Sequence, residues 1–101
     1  MKIRIEEDGR VLVEDMDDLG SLAVESALAP QRIATLPQCQ SHAIARAEAG
    51  ALWIRIGFLV QSYQGTRADW RAAFDRTLDY AAGRGWVDQG RTMVRAHIRS
   101  S

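Results

Sequence analysis

The chain has 101 residues, 47% of them apolar and 26% charged, with thirteen Lys/Arg balanced by thirteen Asp/Glu. That size and balance fit one soluble globular domain spanning residues 1–101, with a core that needs no metal or disulfide support. The only cysteine, Cys39, excludes an intramolecular disulfide and a cysteine zinc cage, and it suits a reducing, cytoplasmic setting.

The opening residues read as a β-hairpin. KIRIE and RVLVE are rich in β-branched residues and flank Glu7-Asp8-Gly9. A two-residue Asp8–Gly9 turn would set Ile3 against Glu14. A three-residue loop instead places Gly9 where a left-handed residue is needed and pairs Ile5 with Val11 and Ile3 with Val13. The opposite face then pairs Glu6 with Arg10 and Lys2 with Glu14, opposite in charge. The three-residue loop is the predicted one. This N-terminus reaches acidic residues by position 6 and has no apolar h-region, so it is not read as a signal peptide.

Residues 21–26 alternate Leu22, Val24 and Ser26 and are predicted as a third strand, with a short helix capped by Asp18 as the alternative. Gln31 to Ala49 has helical composition, with Ile33, Leu36, Ile44 and Ala47 inward, and Pro37 breaking it or starting its second half. Gly50 is its stop. Residues 51–56 alternate again: Leu52, Ile54 and Ile56 on one side, Ala51, Trp53 and Arg55 on the other. A strand therefore puts Arg55 opposite the isoleucines, with no buried unpaired charge. After Gly57 the pattern fits one or two helical turns.

The clearest helix is predicted over 66–82. Thr66 is its N-cap with Asp69 three residues on, Trp70, Phe74, Thr77, Leu78 and Ala81 form one stripe, and Gly83 ends it. The tail is predicted as a strand over 92–98, with Val94, Ala96 and Ile98 on one face and Arg95, His97 and Arg99 on the other. A final helix is the alternative. The expected fold is α+β: an antiparallel sheet of four to five strands opened by the N-terminal hairpin, with two main helices on one face. No run approaches the roughly 18 apolar residues of a membrane-spanning helix.

No dinucleotide, phosphate-loop, metalloprotease, thiol-redox or nucleophile-elbow motif occurs. Charge is polarised: residues 1–50 carry five Lys/Arg and nine Asp/Glu, and residues 51–101 carry eight Arg and four Asp. Such a dipole suits antiparallel self-association, so a homodimer is expected; the plainer reading is that the two halves touch each other within the fold. With pI near 6.7, nucleic acid is not the expected partner.

Isolated reactive residues remain. Cys39 and His42, three apart, would share a helical face as a thiolate–imidazole pair, although a free cysteine is usually a buried hydrophobe. His97 sits between Arg95 and Arg99, which would favour neutral imidazole and suit a base. If the strands carrying Trp53–Arg55 and Arg95–His97 are neighbours, their shared face presents an indole, two guanidinium groups and an imidazole, apt for a small organic anion. Tyr63 and Trp86 would close its rim. The plain alternative is a half-wet face where Trp53 packs on arginine stems. Two sites for metal-binding histidine and one for cysteine are too few for a metal centre, and no cofactor is expected. The resulting expectation is a small ligand-binding or accessory protein, homodimeric, taking a small organic anion or a partner on an open sheet face. A compact acid–base enzyme (isomerase, cyclase or hydrolase of a small anion) is the alternative, and a protein–protein interaction module the third.

Overall fold

A computed structural model describes residues 1–41, 45–48 and 50–100 of the chain. It is an α+β fold in which six strands form one sheet of order β2-β1-β3-β6-β5-β4. The strands are β1 (Lys2–Ile5), β2 (Val11–Glu14), β3 (Ala23–Ser26), β4 (Ala45–Glu48), β5 (Ala51–Arg55) and β6 (Met93–Ser100). Between them lie α1 (Pro30–Ile33), α2 (Pro37–Gln40), α3 (Ile56–Ser62) and α4 (Trp70–Gly83).

The hairpin takes the three-residue loop. Ile5 pairs with Val11 and Ile3 with Val13, and Gly9 has φ +88°, the left-handed conformation that a residue without Cβ adopts freely. Lys2 stands opposite Glu14 and Glu6 bonds to Arg10 through the backbone, as expected, but the ion pairs are others: Arg4 Nε lies 2.8 Å from Glu14 Oε1, Lys2 reaches Glu25 at 3.6 Å, and Arg10 pairs with Asp8 at 2.9 Å. These are diagonal or local contacts that long, exposed side chains reach as readily as the direct ones.

The sheet is mixed, not antiparallel, and has six strands. The Glu6 N–H donates to the Arg10 carbonyl at 2.9 Å, whereas the Ile5 carbonyl accepts from Ala27 N–H at 3.0 Å. Successive residues of β1 thus turn their peptide groups to β2 and β3 alternately. Residues 15–22 carry the chain back to the start of β1, so β3 enters that second edge running parallel to β1. The crossover is held down by α4: the Trp70 indole N–H donates to the Met16 carbonyl at 2.7 Å and the Thr77 hydroxyl to that of Leu19 at 3.2 Å. β6 then lies parallel to β3, and the β6–β5 and β5–β4 pairs are antiparallel.

The helix expected over 31–49 does not form. Two single turns replace it, each with proline at its start, because Ala29 and Leu36 precede prolines and are held extended (ψ 151° and 139°). Ala45–Glu48 instead pairs with β5, Ala45 opposite Ile54 and Ala47 opposite Leu52. α4 begins at Trp70, not Thr66. The Asp69 carboxylate, expected to complete the cap, is taken by Arg67 through two bonds of 2.6 and 3.2 Å. Its end also shifts, with Arg84 as C-cap and Gly85, at φ +80°, in the left-handed position expected near Gly83.

The registers put Ile3, Ile5, Val24, Ala45, Leu52, Ile54, Val94 and Ala96 on one face of the sheet. All of them are buried in one cluster with Ile33, Cys39, Ile56, Leu59, Trp70, Phe74, Leu78 and Ala81. The helices therefore cover that face, α4 through the predicted stripe. Along α4 and its preceding loop, Tyr63, Trp70 and Phe74 stack in series at 4.2 and 4.9 Å.

Candidate functional site

The two strands that matter are neighbours. β5 and β6 pair with Trp53 opposite Arg95, Arg55 opposite Met93 and Ala51 opposite His97, so Trp53, Arg95 and His97 share the face turned away from the helices. β4 adds two residues that the helical reading of 31–49 had hidden. Arg46, paired with Trp53, holds its guanidinium 5.5 Å from the indole centroid. Glu48 accepts the Trp53 indole N–H and lies 3.7 Å from Arg95 Nε. The signal for them was present as the alternation of Ala45 and Ala47 with Arg46 and Glu48. Glu48 thus stands where a bound carboxylate would meet Arg95, and Arg46 covers the ring. His97 is exposed, with Nδ1 3.5 Å from the Gly50 carbonyl; among the described residues no carboxylate bonds to its ring.

Arg55 follows Trp53 on the same alternation of β5 and also lines a second cleft. It ends β5 and is the N-cap of α3, with extended backbone. There it lines a cleft of about 570 Å³ with Arg71 from α4 and Arg91 from the turn before β6; Gln61 and Thr92 share the wall. Three arginines, 16 and 20 residues apart in sequence, line one cleft whose lining residues include no Asp or Glu. Each is positioned by its own element. Arg71 Nε is 3.1 Å from Asp75 Oδ1, one turn along α4. Arg91, at φ +53°, reaches Asp79 at 2.8 Å and donates to the Asp75 carbonyl at 3.1 Å.

The Asp88 carboxylate builds the turn that presents Arg91. It accepts the Thr92 N–H at 2.7 Å, the Thr92 hydroxyl at 2.6 Å and the Met93 N–H at 2.9 Å. The Thr92 hydroxyl bond first, then those backbone N–H groups, hold the Asp88 pKa below its ordinary value. Arg71, Asp75, Arg91 and Asp79 side chains are all at least two-fifths exposed, so their ion pairs are cheap to exchange.

Tyr63 and Cys39 lie apart from both places, whereas Trp86 adjoins Arg95. Tyr63 donates its hydroxyl to Asp17 at 2.9 Å, accepts the Arg67 N–H at 3.1 Å and stacks flat on Trp70. It latches the loop before α4 to the crossover and does not rim the Trp53 face. Trp86 accepts the Arg95 N–H at its carbonyl, 2.7 Å away. Its ring meets Tyr80 edge-on and lines a cavity of about 230 Å³ beside Phe74 and Leu78, on the helix side of the sheet. Cys39 is buried in the core, and that burial pushes its thiol pKa up, opposing the thiolate a nucleophile requires. Its proposed companion His42 lies outside the described residues.

Among the described residues, no three His, Cys, Asp or Glu gather as a metal centre would require, and no helix is long and apolar enough to cross a membrane. No family model, curated protein or solved structure matches this chain.

Proposed function

We propose that this chain is a small accessory protein that binds a small organic anion in the Arg55–Arg71–Arg91 cleft. The observation that carries the reading is that arginines from three separate elements line one cleft whose lining residues include no Asp or Glu. The volume, about 570 Å³, falls within the range of about 300–1,000 Å³ usual for small-molecule sites. Guanidinium groups match carboxylate and phosphate geometry through paired N–H donors. Several of them around one cleft therefore suit an anion with two or more charged oxygens. Phe58 and Val60 offer an apolar wall to its carbon skeleton. The acid–base enzyme has less behind it, since His97 lacks an orienting carboxylate among the described residues and Cys39 is buried.

Titration calorimetry with citrate and with 2-phosphoglycerate, at matched ionic strength, tests the reading. Wild type is expected to bind at least one of them. Arg55→Lys keeps the charge but loses the planar fork and should weaken binding; Arg55→Ala should cost about 2 kcal/mol, roughly thirtyfold in affinity. Arg91→Ala should do likewise, with melting temperatures close to wild type. Neither anion binding, or binding that survives both alanine variants, overturns it. A melting point that falls with Arg55→Lys would mark the arginine as a support of the sheet instead.

A further inference from the structure

The other end of the sheet is separate from the anion cleft. β2 is an edge strand, and its sequence, Val11-Leu12-Val13-Glu14, has none of the lysine or proline with which exposed edges are usually blunted. The opposite edge, β4, carries charges at alternate positions through Arg46 and Glu48. Because the Glu6 N–H bonds to the Arg10 carbonyl, Arg10 is a hydrogen-bonded pair of the hairpin, and the alternation then turns the N–H and C=O of Val11 and Val13 outward. Val11 and Val13 line a groove of about 880 Å³ together with Phe58, Tyr63, Asp15 and Asp17. Leu12, 39% exposed, is one of two large apolar side chains left on the surface of the described residues.

We propose that two copies of the chain join through β2, antiparallel about a two-fold axis at Leu12, making one continuous sheet. The register follows from parity and charge. Outward peptide groups on odd residues require odd residues to face odd residues. Val11 opposite Val11 would set Leu12 against Arg10. Val13 opposite Val13 would set Leu12 against Glu14. Val11 opposite Val13 sets Leu12 on the second copy's Leu12 and Arg10 against its Glu14, twice by symmetry.

Only that last arrangement joins apolar to apolar and cation to anion on the same face, as an isologous contact requires. The present partners of these charges are surface pairs, Arg10 with Asp8 and Glu14 with Arg4, so exchanging them costs little. The contact is short, and the dimer is accordingly weak, forming at micromolar and higher chain concentration.

Sedimentation equilibrium over roughly 5–500 μM reads the outcome. Wild type should move from the chain mass toward twice that mass. Arg10→Glu should raise the dissociation constant at least tenfold, and Arg10→Glu with Glu14→Arg should restore it to within about threefold. Val13→Pro removes an outward donor and no hairpin bond, so it should leave a folded monomer. In a Cys39→Ala background, Leu12→Cys should cross-link on mild oxidation, because facing residues of a non-hydrogen-bonded pair sit roughly 4.5 Å apart at Cα, within disulfide reach. Leu22→Cys, half-buried just before β3, two strands from β2, should not. A monomer throughout the range, a dimer indifferent to the charge exchange, or equal cross-linking at both positions would overturn the proposal. Should Val13→Pro fail to fold by circular dichroism, the charge exchange and cross-linking decide alone.

Discussion

Replacing Gly9 with valine isolates what the hairpin loop demands. At φ +88° an L-residue places Cβ close to the next carbonyl, a cost of roughly 1–2 kcal/mol, and a β-branched residue lies at the upper end. A Cβ built there meets Leu36 Cδ2 at 3.0 Å, tighter than ordinary contact. The clash falls on the end of a flexible side chain, so Leu36 can yield, at about 1 kcal/mol for a displaced rotamer. The Gly9 carbonyl also accepts from Gln38 Nε2 at 2.9 Å, a tie to α2 worth about 1 kcal/mol if broken. The total is about 2–4 kcal/mol, a large share of the roughly 5–15 kcal/mol that holds a domain of this size. Urea denaturation of Gly9→Val and Gly9→Asn measures it. Asparagine tolerates the left-handed region, so it should recover about half the loss, leaving the Leu36 contact as the remainder. A Gly9→Val midpoint equal to wild type would refute both the loop geometry and the Leu36 packing argument. Equal losses for valine and asparagine would place the whole cost in packing.

Phe74→Asp should unfold the chain, since Phe74 is 2% exposed and stacked on Trp70: losing the ring costs about 3–5 kcal/mol and an unpaired carboxylate is then buried; a near-native thermal transition would show the α4 stripe misassigned. Asp88 should contribute to an acid limb in stability. Its pKa is depressed in the folded chain, so its contribution is whole above the ordinary value of 3.8 and is lost as pH falls below that value through the folded pKa. Carboxyl NMR titration reads the shift directly, and Asp88→Asn should remove that part of the limb; an unshifted titration would refute the hydrogen-bonding account of the turn.

Where a feature was legible in the sequence, its cause was local. The hairpin register followed from the short loop, Gly9 and the pairing of like faces, all within fourteen residues. The stripe on α4, the strand at 23–26 and the placement of Arg55 opposite the isoleucines rest likewise on side-chain periods of two or 3.6. Proline effects were half read: Pro37 was expected to interrupt a helix, yet the extended residues ahead of both prolines, together with an open edge on β5, were enough to turn Ala45–Glu48 into a strand. Alanine-rich composition suits a helix in isolation, and a neighbouring strand outweighs so weak a preference.

Strand order, the parallel pairs and both candidate sites were decided by tertiary structure, because each depends on contacts far apart in the chain. The capping box expected from Thr66 and Asp69 did not form: the helix starts later, with Asp69 itself as N-cap residue and its carboxylate paired with Arg67. Arg55 was singled out beside Trp53, and the structure adds that it lines a cleft together with Arg71 and Arg91. Nothing near residue 55 encodes that shared lining. The sequence by itself determined which face each residue of a strand or helix presents, since that is set by backbone geometry one residue at a time. Which faces meet was decided by burial of the shared core, a property of the whole chain.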